Sequence, residues 1–482
     1  MIKVRLIVQV VLLLAKGIFE ILRSVANVRE LEERMQRLVQ EAALRLFRAA
    51  LEEIDGALAA QRDTKKYKSV GFRERTLITS FGELRLKRRL YLDTKTGDYR
   101  FLLDEALGLT EGQRMSPRIT ELTVELATEM PFRRAEKILS YLVPGISAMT
   151  IWSRVQESGR RAVEHSALRR AAIFEQGAVP AGSKEIRTLF IEADGVWVRQ
   201  QRTRERGGEI KLVVGYEGKE GCPRSLKGRQ TVAGLVDGEA IWEEASAVFG
   251  ERWALEKVAQ VRIGGDGAPW IANGGKACFP GASYHLDPFH LRRRLTEALA
   301  FSEEIYGEVS ACIARLNQEA TVAVLDRALK KARGRAARKR IRELKRYLID
   351  NWEGISTLPE EERLGTIEGQ VRHTLARRMK RIGARWTPRG ADHMARLLAA
   401  RANGELRVYA ASDGVVNAPL LEQVIRVGGI EQPQRLRRED LENWLRAEMP
   451  ALKGPCAGKP WVKHVFMRIP TKSTTESGGL RP

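Results

Sequence analysis

The reading of this chain turns on two short runs, Ile186-Arg-Thr-Leu-Phe-Ile-Glu-Ala-Asp194-Gly-Val-Trp-Val198 and Val261-Arg-Ile-Gly-Gly-Asp266-Gly-Ala-Pro-Trp270. Each is a brief apolar, β-branched stretch that stops at an aspartate followed by glycine, the pattern of a strand feeding a loop. Between them lie two more strand-like runs and one helical pattern, so the spacing predicts strands over 187–192, 210–217, 231–236 and 258–263 and a helix over 239–249. Three antiparallel strands, a helix and a further strand is the order of an RNase H-like α/β core. In that order Asp194 and Asp266 end the first and fourth strands. Phosphodiester chemistry needs an in-line displacement in which charge builds on the entering and leaving oxygens, and two divalent ions about 4 Å apart offset it. Hard oxygen donors suit Mg²⁺, so a few carboxylates suffice as ligands. Glycine after each aspartate leaves room for a substrate.

Composition points the same way. The 482 residues hold 83 Lys and Arg against 61 Asp and Glu, a net charge of +22, with a pI near 10.0. That excess repels itself unless a polyanion is the partner, so double-stranded DNA is the expected one; a basic protein kept soluble by its charge is the plainer alternative. Hydrophobic content of 43% and charged content of 30% describe a soluble globular chain. Cys222, Cys278, Cys312 and Cys456 are far apart, with no C-x-x-C pair. This argues against a structural zinc site or a disulfide scaffold and suits a reducing cytoplasm. The apolar run over 4–15 is short, contains Gln9 and lacks a clear cleavage site, so a buried helix start is expected rather than export or a membrane span.

Outward from the two runs, seven regions are expected. Residues 1–62 read as an amphipathic helical region and 63–107 as a β-meander turning at Phe81-Gly82 and Thr96-Gly97, with Arg85, Lys87 and Arg89 on a basic face. That face suits a phosphate backbone or plain solvation equally. In 108–178, Ser116-Pro117 opens a helix, Pro131 breaks it, and Ser147 caps another after the Pro144-Gly145 turn. This is a helix-turn-helix pattern that would turn Thr150, Ser153, Arg154 and Gln156 outward while Ile151 and Val155 pack. Trihelical folds without DNA contact are the plainer reading. The α/β core would occupy 183–295 and 363–405, interrupted by an all-helical insertion over 296–362. Within Lys330–Arg346 ten residues are Lys or Arg and Glu343 is the lone acid. So dense a run calls for an anion, which makes Lys330, Lys331, Arg338, Lys339 and Arg340 phosphate-holding candidates. Residues 406–482 form a C-terminal region, loosely ordered from Pro455, with Trp461, Phe466 and Met467 as docking candidates.

A third acid is less clear from residues alone. Glu368 qualifies because it opens a helix after the insertion, with Val371 and Leu375 on its side. Glu192 (i, i+2 to Asp194), Asp237, Asp287 and Glu405 are rivals. Asp237 lies in a Val-Asp-Gly turn, where aspartate commonly serves the turn.

Phe81-Gly-Glu-Leu-Arg-Leu-Lys-Arg-Arg-Leu-Tyr91, Leu102-Leu-Asp-Glu105, Asp194-Gly195, Gly264-Gly-Asp-Gly-Ala-Pro-Trp-Ile271, Leu286-Asp-Pro-Phe-His290, Ile367-Glu-Gly-Gln-Val-Arg-His373 and Ala402-Asn-Gly404 together carry a resemblance. Over about residues 17–410 the chain resembles the ISLre2 family of bacterial insertion-sequence transposases, relatives of which are called UPF0236 proteins. The resemblance implies a DDE transposase with an RNase H-like core, similar to the Mutator group, whose all-helical insertion lies between the second Asp and the Glu. Carried over, Asp194 and Asp266 match the first two acids and Glu368 the third; they would hold two Mg²⁺ (or Mn²⁺) ions. Mutator-like chains often have Cys-x-x-His after the second Asp; here Asp287-Pro-Phe-His290 stands in its place, so the His matches and the Cys does not. His290 is then an accessory residue or a packed histidine, and Trp270 a base-stacking or core residue. Arg372 and His373 are further accessory candidates.

The expected function is binding of terminal inverted repeats with metal-dependent cleavage and strand transfer, by at least a dimer on DNA, in the cytoplasm at the nucleoid. A nuclease or resolvase of the same fold, and a non-catalytic DNA-binding protein of transposon origin, are the alternatives.

Overall fold

The computed structural model describes residues 4–143, 145–220, 225–355, 364–380 and 383–410. It is a mixed α+β fold. Helices α1 (Val4–Ser24) and α2 (Val28–Gln61) form a hairpin, with Asn27 capping α2 through Glu30 N. A three-stranded antiparallel meander follows: β1 (Tyr67–Thr79), β2 (Gly82–Asp93) and β3 (Tyr99–Arg100). The short helix α3 (Leu102–Ala106) closes it, and Leu84, Leu86 and Leu103 pack against Leu51 and Leu58 of α2. Asp104 ties α3 to the meander by accepting from both Arg75 and Arg88.

Next come α4 (Pro117–Glu129), α5 (Phe132–Leu139) and α6 (Ala148–Arg170). Ser116 and Ser147 cap α4 and α6 through Ile119 N and Thr150 N, as the sequence suggests.

The central sheet is built from β4 (Thr188–Arg199), β5 (Gly207–Tyr216), β8 (Gln230–Gly234), β9 (Gln260–Gly265) and β10 (Ser283–Leu286) in the order β10-β9-β4-β5-β8. A small hairpin, β6 (Gly218–Glu220) and β7 (Ser225–Lys227), stands apart. Strands β4, β5 and β8 run antiparallel in sequence, whereas β9 and β10 join parallel to β4. Alternation sorts the sheet's side chains onto two faces. Leu189, Ile191, Ala193, Val213, Val232 and Ile263 face α7 (Gly238–Arg252) and α8 (Pro269–Cys278). Fully buried Trp242, Phe249 and Trp253 fill that layer, each burial contributing about 1.5–3 kcal/mol. Phe190, Val196, Ile210, Leu212, Val214 and Tyr216 face the opposite layer, which contains α4–α6 and the later helices.

After β10 the chain forms α9 (Pro288–Leu299), α10 (Glu303–Ala314), α11 (Gln318–Lys331) and α12 (Arg335–Asp350), with a hydrophobic core of their own around Leu299, Val309, Leu325 and Ile341. The chain returns to the sheet through α13 (Ile367–Gln370), a π-helical turn over 371–376, α14 (Arg377–Met379), α15 (Pro388–Ala402) and α16 (Leu406–Ala410). Helix α15 also covers the exposed edge of β8: Asp392 accepts from Leu235 N, and Asn403 exchanges two hydrogen bonds with Thr231. Covering an edge this way removes a site of unwanted strand pairing.

Several expectations are corrected. Asp194 does not end its strand: β5 keeps pairing with β4 as far as Arg199↔Gly207, so Asp194, opposite Leu212, lies mid-strand. Strand β10 was not expected. Helix α1 is buried on one narrow face only: Val10 and Ile21 are buried, whereas Ile7, Val11, Leu12, Phe19 and Leu22 are exposed, since α2 is what it packs on. Among the described residues no helix is long and apolar enough to cross a membrane. Glu368 and Val371 line the same cavity, as their spacing suggests, but Glu368 is exposed while Val371 and Leu375 are buried, and the helix becomes π-helical from Val371. Residues 411–482, including Trp461, Phe466 and Met467, lie outside the described residues.

Candidate metal centre

The site forms where two parallel strands stop at different heights. Pairing of β4 with β9 ends at Glu192↔Gly264, and β9 itself ends at Gly265. Strand β4 continues beyond, held by β5 alone, so Asp194 emerges beside the loop that carries Asp266. A crevice outside the carboxyl ends of parallel strands is where such sheets commonly bind ligands. Here it is a cavity of about 510 Å³ lined by Asp194, Asp266, Glu368 and His290, with Arg293, Arg294, Arg372 and Lys380 on its walls.

Asp194 is 7% exposed and accepts a hydrogen bond from its neighbour Gly195 N (2.7 Å). Burial, opposed by His290 and by that backbone bond and assisted by the charges of Asp266 and Glu368, pushes its carboxyl up to about 6. The acid is therefore held short of donors in a place where charge is costly, the condition that a bound cation relieves.

The Asp266 loop is held from two sides. Asp266 Oδ1 accepts from Ala268 N (2.9 Å), Gly267 N donates to Tyr284 Oη (2.9 Å), and Tyr347 Oη donates to the Asp266 carbonyl (2.8 Å). Tyr284 comes from β10 and Tyr347 from α12, so the helical insertion takes part in shaping the site. Gly267 has φ +92°, and a Cβ there would come within 2.8 Å of the Tyr347 ring. Both conformation and space therefore demand glycine.

Glu368 is placed by a residue the sequence left as a rival ligand. Glu192 is 1% exposed, and its carboxylate accepts five hydrogen bonds. These come from Tyr216 Oη (2.6 Å), Gly365 N (2.8 Å), Thr366 N (2.8 Å), Thr366 Oγ1 (2.6 Å) and Ile367 N (3.1 Å). The first backbone N–H groups of a helix lack intrahelical partners. Thr366 is the N-cap of α13 but its side chain makes no cap bond; Glu192 supplies the missing acceptor and fixes where Glu368 begins its turn. Burial and the Glu192 carboxylate push the Tyr216 phenol far above its ordinary value. No local sequence signal reveals this role, because the donors from 365–367 are more than 170 residues away and Tyr216 is 24 residues away on the next strand.

His290 follows Asp287, which caps α9 by accepting from Phe289 N (2.9 Å) and takes His290 Nδ1 at 2.8 Å. The Asp287 bond, with help from Asp194, raises the imidazole's affinity for a proton above its ordinary value. One ligand atom each from Asp194, His290 and Glu368 lie within 4.8 Å of one another. Two oxygens bound to one ion at about 2.1 Å can be up to about 4.2 Å apart, so a small side-chain adjustment lets this donor set hold a cation. The carboxylates fit a divalent metal.

Other candidates are dispersed. Trp270 does not line the cavity; it packs on the α7–α8 layer, its carbonyl accepting from Trp242 Nε1 and its ring near Lys211. Arg372 lines the cavity, and His373 lines an adjoining depression with Arg372 and Arg377. On α6, Thr150 Oγ1 is within 3.0 Å of Ser147 Oγ, Arg154 pairs with Glu157, and Ser153 is half-buried. Gln156 does not face outward; it meets His393 Nδ1, since α6 packs along α15. On the meander, Arg85 and Lys87 are exposed beside Glu83 and Glu74, but Arg89 is spent on buried Asp55. On the insertion, Lys330, Lys331, Arg338, Lys339 and Arg340 are all exposed. The run is less unpaired than its composition suggests: Lys331 approaches Glu304, Lys339 approaches Glu343, and Lys345 pairs with Asp326. Asp237 caps α7 through Ala240 N, a structural duty.

A family model described as an uncharacterised protein family, UPF0236, matches residues 22–411. A UPF0236 protein of Caldanaerobacter subterraneus subsp. tengcongensis is 26% identical over 395 residues, covering 80% of each chain. A UPF0236 protein of Streptococcus gallolyticus is 27% identical over 408 residues, covering 81% of this chain and 86% of its own. The match spans the meander as well as the sheet, the helices after it and the returning helices that supply the cavity's lining, and the chain belongs to the UPF0236 family.

Proposed function

We propose that this protein is a metal-dependent DNA transposase with an RNase H-like core, in which Asp194, Asp266 and Glu368 are the acids that hold two divalent ions. The observation that carries the reading is the meeting of three acids from separate parts of the chain in one basic-walled cavity at the ends of β4 and β9. The order β10-β9-β4-β5-β8, with three antiparallel strands and two parallel additions, agrees with such a core. A relative in Caldanaerobacter subterraneus adds support of another kind. Its name joins eleven locus designations from one organism, and a gene that moves by copying itself accumulates in that way.

In this reading Arg293, Arg294, Arg372 and Lys380 hold backbone phosphates at the cavity wall while the acids orient the reacting phosphodiester. Bound divalent ions would offset charge on the attacking and leaving oxygens. Water adds to phosphorus at the element end as the P–O3′ bond breaks, freeing a 3′-hydroxyl. That hydroxyl then attacks a target phosphodiester, so one P–O bond forms for each broken and no covalent protein–DNA intermediate arises. Exposed cations on α12 and β2 extend the phosphate-binding surface. Joining two ends calls for at least two copies on DNA.

The test is incubation of the full chain with labelled duplex from the ends of its own element, unlabelled target and Mg²⁺. Labelled ends joined to target are expected. Hydrolysis without joining would replace the reading with a nuclease or resolvase, and salt-sensitive binding without metal-dependent products would replace it with a DNA-binding protein.

A further inference from the structure

We infer that His290 is itself a metal ligand: one cation is held jointly by Asp194, Glu368 and the Nε2 atom of His290, which gives that position a preference for first-row transition ions over Mg²⁺. The inference rests on the metal-dependent reading above and deepens it, because it makes the two cation positions chemically unequal.

The first ground is proximity. Of the five carboxylate and imidazole side chains lining the cavity, the trio that brings ligand atoms within 4.8 Å of one another is Asp194, His290 and Glu368; Asp266 and Glu297 are not in it. The second ground is how the imidazole is mounted. Its Nδ1 is engaged by Asp287 Oδ2 at 2.8 Å, which leaves Nε2 as the nitrogen able to meet a cation. Asp287 is 3% exposed and fixed at both ends, with its N–H on the Gly265 carbonyl (2.8 Å) and its Oδ1 on Phe289 N (2.9 Å). Gly265 directly precedes Asp266, so the ring's support is anchored to the same loop that presents the second aspartate. A buried carboxylate on the far nitrogen of an imidazole is the usual way a ligating histidine is oriented and made more basic. A histidine serving as packing would have no need of that mounting over a cluster of acids.

The donor sets then differ. Asp194 and Asp266 offer oxygen to one ion, which suits Mg²⁺. Asp194, Glu368 and His290 offer two oxygens and a nitrogen to the other, and an imidazole donor favours transition ions. Among the described residues, no other histidine lines this cavity, so nitrogen bound to a metal there has one source.

The experiment titrates the metal-free full chain with Mn²⁺ in the absence of DNA and reads bound Mn²⁺ by pulsed electron paramagnetic resonance. The expected result is imidazole nitrogen coupling on bound Mn²⁺. His290→Ala removes the coupling and weakens Mn²⁺ binding by more than the roughly 10-fold that loss of an outer partner costs. Asp287→Asn keeps the coupling and weakens binding by about 10-fold. Mn²⁺ bound in an Asp194-dependent way without nitrogen coupling, or coupling that survives His290→Ala, overturns the inference. If a variant fails to fold by circular dichroism, the wild-type spectrum still decides. Nitrogen coupling in a protein that neither cleaves nor joins DNA leaves the ligand assignment standing and sinks the transposase reading. DNA joining without coupling does the reverse.

Discussion

Glu192 and Asp194 lie two residues apart on the same face of β4, both nearly sealed from solvent, and their environments are opposite. Glu192 accepts five hydrogen bonds from Tyr216 and the 365–367 segment. Among the described residues Asp194 has one bond, from its own neighbour, and it faces two further carboxylates across a cavity. A buried charge whose lone pairs are filled by donors holds structure together; one left underfilled beside other acids is a place for a cation. Being an acid on this strand face does not separate the two roles. The donors brought by distant segments do.

That contrast can be broken or sharpened by substitution. The largest stability effect is expected at Glu192→Gln. The amide loses the charge that five donors converge on and turns an NH₂ toward some of them, so unfolding in denaturant should show a loss of about 3–5 kcal/mol. DNA cleavage should fall as well, because Glu368 loses its support. A loss under 1 kcal/mol would mean that the carboxylate cluster is not what anchors α13.

Asp194→Asn should act in the opposite direction on stability. The carboxyl titrates near 3.8 when unfolded and about 6 when folded. The folded state therefore binds more protons between those values, and stability falls as pH rises through the window. The penalty is fully present above about pH 6 and absent below about 3.8. In metal-free buffer at pH 7.5 the variant should be more stable by up to about 3 kcal/mol, with the advantage shrinking toward pH 4. A variant less stable than wild type at pH 7.5 would show Asp194 to be a structural acid like Glu192.

Tyr216→Phe removes one donor to Glu192 and should cost about 1–2 kcal/mol, measurable in the same unfolding experiment. An effect equal to that of Glu192→Gln would place the anchor in the sheet rather than in the loop. The smallest effects belong to the cavity wall. Arg372→Ala and Lys380→Ala should each weaken DNA binding regardless of sequence and flatten the dependence of log affinity on log salt by about 1; unchanged slopes would remove these residues from the DNA path.

How much of this is visible in the chain differs by residue. Short apolar runs made β4, β5, β8 and β9 legible, and serine followed by helical periodicity marked the starts of α4 and α6. The length of β4 was not legible. Asp194-Gly195 reads locally as a strand end, and only pairing with β5 carries the strand through it. Strand β10 has four residues, of which Ser283 and His285 are polar, and gains its identity from β9 beside it. The exposure of α1 and the inward turn of Gln156 depend on which helix lies opposite, which periodicity does not state. The five-bond role of Glu192 is written in residues 216 and 365–367, beyond the reach of any local window. The same holds for Tyr347, whose hydroxyl reaches the Asp266 carbonyl from the insertion.

The most direct test of the central claim compares wild type and Asp194→Asn in one assay, single-turnover cleavage and joining of labelled element-end DNA with Mg²⁺, alongside their metal-free unfolding curves. The account predicts that the variant folds at least as stably as wild type at pH 7.5 and forms no joined product above background. Joining by a folded Asp194→Asn at the wild-type rate would contradict it.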